Sequence, residues 1–142
     1  IAKLTKEKNL AERLMIEITH STQIREPEAT ARFITELQGL GFKVALDDFT
    51  DGPEAYDQLM RFHPDMVKID SKHARNILIA PREAATLRGL IDLCAGMNIE
   101  VAVKGIEDRS QAAAVMELGA NYGQGFYYGK PAPRPDFTPP RN

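Results

Sequence analysis

The sequence has 142 residues, of which 43% are hydrophobic and 27% charged, a composition that excludes a disordered chain or a fibre. With 18 Lys and Arg against 20 Asp and Glu, the formal charge is −2, which disfavours a nucleic acid polymer as an electrostatic partner. The single cysteine, Cys94, excludes an internal disulfide and a Cys-based zinc site, and the chain has neither a membrane-length apolar run nor a signal-peptide pattern. We therefore expect a cytoplasmic location, although a longer parent protein could be attached to a membrane.

Five short apolar runs alternate along the chain with segments of helical spacing. The runs have the length of β-strands and cover residues 14–18, 42–46, 66–69, 99–103 and, more weakly, 120–122. Apolar residues at steps of three and four predict helices over 28–40, 87–94 and 112–118, which end at Gly41, Gly96 and Gly119. This alternation without hairpin signals predicts an α/β fold with a parallel sheet.

Polar residues lie at or just beyond the end of each predicted strand. In chain order they are Glu17, Asp47 and Asp48, Lys68 and Asp70, Lys104 and Glu107, and Gln124. The carboxyl ends of parallel strands are where α/β proteins bind ligands, so this series indicates a functional site. For the Asp47–Asp48 pair, capping of the following helix is an equally good interpretation.

Three of these residues, Glu17, Asp47 and Asp48, carry the oxygen ligands that Mg²⁺, Mn²⁺ or Ca²⁺ prefer. A two-metal site of this kind serves phosphodiester hydrolysis. The histidines, in contrast, show no metal-ligand spacing and are expected at the surface or at helix ends.

Several short motifs occur in a fixed order: IEITHS at 16–21, ALDDFTDG at 45–52, VKID at 67–70, VAVKGIED at 101–108, and GQGF at 123–126 with KP at 130–131. In this order the sequence resembles the EAL domain family, the bacterial cyclic-di-GMP phosphodiesterases. The resemblance implies a (β/α)8 TIM-type barrel, of which residues 1–131 would supply about the C-terminal five βα units. Residues 132–142 would form a Pro-rich extended tail.

The resemblance also implies a role for individual residues. Glu17, Asp47 and Asp48 match metal ligands for Mg²⁺ or Mn²⁺, and Lys68 matches the catalytic lysine near the attacking water and the phosphate. Glu107 matches the second glutamate of the motif at 101–108, and the resemblance implies a catalytic role for it as well. Contacts with the bound dinucleotide fall to Gln124, Asp47, Lys68 and Pro131.

The Glu-Ala-Leu motif that names the family is absent, as expected if only the second half of the domain is present. Three departures from the family pattern indicate a degenerate member: His20 replaces a glutamate, Thr50 replaces a glycine, and Lys104 stands where active members carry a glutamate. A protonated lysine cannot accept the proton that a general base must take, and it repels a nearby cation. We expect Lys104 to pair with Glu17 or Asp47 in place of a metal; in the alternative interpretation it turns outward to solvent.

The predicted function is therefore that of a cyclic-di-GMP receptor or protein-interaction module in bacterial signalling, without significant hydrolysis and without a metal cofactor. The alternative is an active metal-dependent phosphodiesterase whose other ligands lie in a missing N-terminal half. A complete barrel takes about 250 residues. We thus expect cyclic-di-GMP to bind only to the complete domain, and other protein domains or a second copy to cover the open barrel edge.

Overall fold

The computed structural model describes residues 11–19, 26–50, 52–70, 72 and 76–133. Within these residues, a short 3₁₀ turn (Ala11–Arg13) precedes an alternating series of five strands and four helices. In chain order the elements are β1 (Met15–Ile18), α1 (Pro27–Gly39), β2 (Lys43–Phe49), α2 (Ala55–Phe62), β3 (Met66–Ile69), α3 (Pro81–Gly96), β4 (Glu100–Lys104), α4 (Arg109–Glu117) and β5 (Tyr122–Gln124). No helix in the described part of the chain is long and apolar enough to cross a membrane.

The five strands form one parallel sheet in the order in which they occur along the chain. Each strand thus pairs with the next one, and a helix links each pair wherever the connection is described. Sequential parallel pairing of this kind is the connectivity of a (β/α)8 barrel rather than of a doubly wound sheet, whose strand order reverses. The predicted fold class is confirmed: the chain forms a five-stranded arc of such a barrel.

The two faces of the sheet have different compositions. On one face, branched side chains such as Leu46, Val67 and Val103 are fully buried in a large core that also contains helix residues such as Ile34 and Leu87. The other face holds only a small cluster of Ala45, Met66 and Ala102, with Met15 against it. Since side chains alternate along a strand, the helices cover the first face and the second corresponds to the barrel interior.

Most of the predicted element boundaries differ from the observed ones by one to three residues, and α3 begins at Pro81, six residues before the predicted start. Gly41 and Gly119 adopt left-handed backbone after their helices, with φ of 90° and 99°, as their role in ending a helix requires. Gly96, however, is the last residue of α3, and Asn98 takes the left-handed conformation instead, with φ of 59°. The fifth strand is displaced by two residues and begins at Tyr122 instead of Ala120.

Turn residues before β3 and β5 fix the start of the neighbouring strands. The carboxylate of Asp65 accepts a hydrogen bond of 2.8 Å from the backbone N–H of Val44, and one of 3.1 Å from the Gln38 side chain. In the same way the side-chain oxygen of Asn121 accepts a 2.8 Å hydrogen bond from the N–H of Val101. Both contacts satisfy a partly buried donor and align the strands whose far ends carry the polar residues.

Part of the predicted features lies outside the described residues. These are His20, His73 and all but the first two residues of the 132–142 tail. The division of the chain at residue 131 stays a prediction.

Candidate functional site

The inner face of the sheet carries charged and amide side chains at the carboxyl ends of its strands. The pairing places Glu17 beside Ala45 and Lys104 beside Gln124. Asp47 lies two residues beyond Ala45 on β2, and Lys68 pairs with Ala102. Because alternate residues share a face, these side chains lie on the same side as Ala45 and Ala102. One predicted residue from each of the five strands is therefore brought to one end of one face.

A β-bulge in β2 explains how two consecutive aspartates serve the same site. Leu46 pairs with Val67 and Phe49 pairs with Ile69, so β2 contains one more residue than β3 over this interval. Asp48, within the bulge, has left-handed backbone with φ of 52°. In a regular strand the side chains of Asp47 and Asp48 would point to opposite faces, whereas the bulge lets both reach the same partner.

That partner is the ammonium group of Lys104. Its Nζ donates a 2.8 Å hydrogen bond to Oδ1 of Asp47 and another hydrogen bond to Oδ1 of Asp48. The side chains of Lys104 and Asp47 are 21% and 20% exposed, and that of Asp48 is 52% exposed. The expected pairing of Lys104 with Asp47 is confirmed, the outward orientation is not observed, and Asp48 is a second partner that the sequence did not indicate.

Lys68 forms the second ion pair of the site. Its Nζ lies 2.8 Å from Oε1 of Glu17, and only 12% of the lysine side chain is exposed. The pair joins β3 to β1 across β2, just as Lys104 of β4 reaches Asp47 across β3. Strands two positions apart are separated by about 10 Å in a flat sheet. Long lysine side chains and a concave face together close that gap.

The ion pairs stabilise the charged forms of their members. Burial alone raises the pKa of Asp47, but the hydrogen bond from Lys104 and the positive charges of Lys104 and Lys68 outweigh it, so the pKa lies below its ordinary value. Burial likewise lowers the pKa of Lys104, but the two aspartates outweigh it and the net pKa is raised. Lys104 is therefore a fixed cation at neutral pH.

This arrangement does not fit a divalent metal. In the described residues no group of three or more Asp, Glu, His or Cys side chains is placed to hold an ion. Glu17 pairs with Lys68, and the ammonium of Lys104 occupies the oxygens that Asp47 and Asp48 would present. A divalent cation 4 Å from that ammonium would be repelled by about 8 kcal/mol at an effective dielectric of 20.

The capping interpretation of the aspartate pair is wrong. Asp47 and Asp48 belong to β2, and the residue preceding α2 is Glu54. Thr50 does not have positive φ; the left-handed residue of this segment is Asp48. A short polar residue such as Asp tolerates that conformation better than a β-branched threonine would.

Glu107 stands apart from the charged cluster. It is exposed, and its backbone N–H donates a 2.8 Å hydrogen bond to the side chain of Gln111. Asp108 follows as the N-cap of α4, its Oδ1 accepting a 2.9 Å hydrogen bond from the Gln111 N–H. The described contacts of Glu107 thus belong to the start of α4, and its catalytic assignment stays a prediction.

Gln124 and Pro131 line a surface pocket of about 410 Å³ beyond β5. The other lining residues include Phe126, Tyr128 and Lys130, with the Lys130 ammonium 5.7 Å from the Phe126 ring centre. Neither aromatic residue was predicted to belong to the site, although Phe126 lies in the GQGF motif and their spacing within a glycine-rich loop was a usable signal. The pocket offers an aromatic face, an amide and a cation, groups that suit a nucleobase.

Gly125 ties this pocket to the end of β4. A Cβ atom at residue 125 would lie 2.1 Å from the carbonyl oxygen of Ile106, so only glycine allows the two backbones to approach. The N–H of Ile106 donates to the Gln124 carbonyl at 3.0 Å, and the N–H of Tyr127 donates to the Ile106 carbonyl at 3.1 Å. These bonds fix Gln124 relative to Lys104.

Two further predictions concern single residues. His63 is exposed at the C-cap of α2, as expected for a helix-end histidine. Cys94 is buried within α3, and burial raises the pKa of its thiol to about 11. Neither residue takes part in the site.

Comparison with known proteins gives a consistent family match. The sequence model of the EAL domain matches residues 1–131. The probable cyclic di-GMP phosphodiesterase PdeA of Escherichia coli K12 is 31% identical over 123 residues, which are 87% of this chain and 17% of that protein. This chain therefore spans less than a fifth of that relative's length.

Solved structures match over a larger share of their length. The PaMucR phosphodiesterase in its c-di-GMP complex has 28% identity and a TM-score of 0.77, over 87% of this chain and 50% of that one. Klebsiella pneumoniae BlrP1, in a complex with manganese and cyclic di-GMP, has 27% identity and a TM-score of 0.78, over 85% of this chain and 31% of that one.

Proposed function

This chain belongs to the EAL domain family, and we propose that it acts in bacterial cyclic-di-GMP signalling as a receptor that no longer hydrolyses the dinucleotide. The observation that carries the proposal is the double ion pair of Lys104 with Asp47 and Asp48. The family resemblance expects a glutamate at position 104. A lysine there removes a proton acceptor and adds a positive charge.

Lys104 opposes hydrolysis in two ways. Its pKa is raised by its aspartate partners, so it stays protonated and cannot activate a water molecule. It also engages the carboxylates that would otherwise hold a cation. Mg²⁺ or Mn²⁺ would supply an activated water and charge neutralisation in an active relative; with Lys104 in place, we propose that this domain uses no metal cofactor.

The same residues remain suited to binding a phosphodiester. Lys68 and Lys104 place two ammonium groups on adjacent strands of the inner face, and Gln124 on β5 adds an amide next to Lys104. The pocket that contains Gln124, Phe126 and Pro131 is large enough for a base. We assign the phosphate contacts to the lysines and a base contact to Gln124 and Pro131, with Asp47 orienting Lys104.

A role as a protein-interaction module is the other form of the proposal. In the described part of the chain β1 pairs only with β2, and β5 only with β4. Each therefore presents one open edge, which is a template for further strand pairing. We propose that the rest of a barrel, another domain or a second copy covers these edges, and that cyclic-di-GMP binds to the completed domain.

The deciding experiment measures binding and turnover on the full-length protein. We expect isothermal titration to show cyclic-di-GMP binding, and chromatography to show no linear dinucleotide after incubation with Mg²⁺ or Mn²⁺. Turnover at an ordinary enzymatic rate would establish the active phosphodiesterase instead. Absence of any binding would leave the interaction module.

The Lys104→Glu variant identifies the cause of the lost activity. Restored hydrolysis would assign the inactivation to this one side chain. Lys43→Glu is the matched control, because Lys43 is an exposed lysine at the opposite end of β2. We expect the control to leave turnover unchanged.

A further inference from the structure

The charges of the site nearly cancel without any added ion. Glu17, Asp47 and Asp48 contribute three negative charges, and Lys68 and Lys104 contribute two positive ones. A glutamate at position 104 would turn this balance from −1 to −3. The chain thus carries within its own side chains the positive charge that a cluster of carboxylates requires.

Lys104 also contacts the part of β2 in which the backbone departs from regular strand geometry. It bonds both aspartates of the β2 bulge, including Asp48 with its left-handed backbone. Two neighbouring carboxylates that converge on one point repel each other, and a left-handed conformation at a non-glycine residue adds to the cost. A cation between them offsets this repulsion.

We propose that Lys104 is a built-in counter-cation that holds the β2 bulge together and makes the site independent of divalent metal. The inference rests on the proposed receptor function only for the identity of the ligand. Its first consequence, the lack of a cation requirement, concerns the protein alone. Its second consequence is that cyclic-di-GMP binds equally well with and without Mg²⁺ or Mn²⁺.

The cation test uses Mn²⁺ and the full-length protein. We expect no Mn²⁺ binding at this site in the wild type, by electron paramagnetic resonance titration, and no change of the melting temperature on addition of Mn²⁺. The Lys104→Glu and Lys104→Met variants should gain both responses, with Mn²⁺ affinity at least about tenfold above wild type for Lys104→Glu. Lys104→Arg and Lys43→Met should behave as wild type.

Mn²⁺ titration of the wild type remains decisive even if a Lys104 variant fails to fold. Mn²⁺ binding to the wild type that disappears in Asp47→Asn would overturn the inference. So would a Lys104→Glu variant that folds and shows the same Mn²⁺ affinity as the wild type.

The nucleotide test separates the inference from the function on which it rests. We expect the cyclic-di-GMP affinity of the wild type in EDTA to lie within about twofold of that in Mn²⁺, since no cation is exchanged on binding. Binding that requires Mn²⁺ would overturn the inference while supporting a receptor. Absence of binding in both buffers would overturn the receptor function, and the Mn²⁺ titration would still decide the role of Lys104.

Discussion

The two ion pairs of Lys104 offer a direct test of whether burial determines the strength of a charged contact. Removing the lysine charge by Lys104→Met, alone and combined with Asp47→Asn or Asp48→Asn, gives two double-mutant cycles. The pair with Asp47 is about one-fifth exposed on both sides, whereas Asp48 is 52% exposed. Burial therefore predicts the stronger coupling for the pair with Asp47.

The magnitudes follow from the surroundings of each aspartate. Hydrogen bonds to charged groups contribute about 1.5–3 kcal/mol when they are shielded from water. Exposed ion pairs contribute about 0.2–1 kcal/mol, because water and salt screen them. We therefore expect a coupling free energy of about 2 kcal/mol between Lys104 and Asp47, and about 0.5 kcal/mol between Lys104 and Asp48.

Equilibrium urea unfolding of the full-length protein at neutral pH, followed through the transition of this domain, measures both couplings. The i,i+4 pair of Arg61 and Asp57 in α2 serves as the exposed reference, with side chains 39% and 65% exposed at 3.2 Å. Its coupling should be about 0.3–0.5 kcal/mol. A coupling for Asp48 that equals or exceeds that for Asp47 would refute the argument from burial.

Three other predictions concern pH and backbone packing. The pKa of Asp47 is lowered and that of Lys104 is raised, so the difference in stability between wild type and Lys104→Met should be largest at neutral pH. Thermal melting should show this difference decreasing as the pH falls below 3.8 or rises above 10.5. Asp65→Ala should lower the free energy of unfolding in urea by about 2 kcal/mol, because it leaves the Val44 N–H without an acceptor. Asp57→Ala, at an exposed position, should lower it by under about 0.5 kcal/mol. Gly125→Ala should abolish cyclic-di-GMP binding by forcing apart the backbone at Ile106, while Gly89→Ala, with open space around its Cβ position, should stabilise α3 by up to about 1 kcal/mol. Unchanged binding by Gly125→Ala would place the ligand elsewhere.

The elements could be predicted from the sequence because their signals are local. Apolar periodicity of two or of three to four residues, and glycine after a helix, depend only on neighbouring residues. Where two local signals competed, the prediction failed. At the end of α3 the sequence offers both Gly96 and Asn98 for the left-handed position, and the helix continues through the glycine.

The bulge in β2 could have been predicted from the buried residues of that strand. Val44 and Leu46 are two residues apart, as expected for one face, but the next buried residue on that face is Phe49, three further on. An odd spacing between residues of the same face requires one extra residue in the strand. The pairing of Lys104 with Asp48 depends on this extra residue. A regular strand would direct only Asp47 to the face of Lys104, so the sequence indicated only Asp47.

The ion pairs that cross an intervening strand could not be predicted, because they depend on the curvature of the sheet. Sequence spacing places Lys68 and Lys104 at strand ends but does not say which neighbour each one reaches. Lys68 could as easily have paired with Asp47 on the adjacent strand as with Glu17 on the next. In the structure the two aspartates of the β2 bulge pair with Lys104, and Lys68 pairs with Glu17.

Under the proposed function, a lysine at position 104 preserves the shape of the site better than a small or apolar residue would. An alanine would leave Asp47 and Asp48 repelling each other, and one of them would protonate or the bulge would open. The lysine instead satisfies both carboxylates and keeps the inner face of β2 ordered. It also adds a positive charge beside Gln124, where an anionic ligand gains from it. These contacts are the reason that the proposed function assigns the site a binding role rather than a purely structural one.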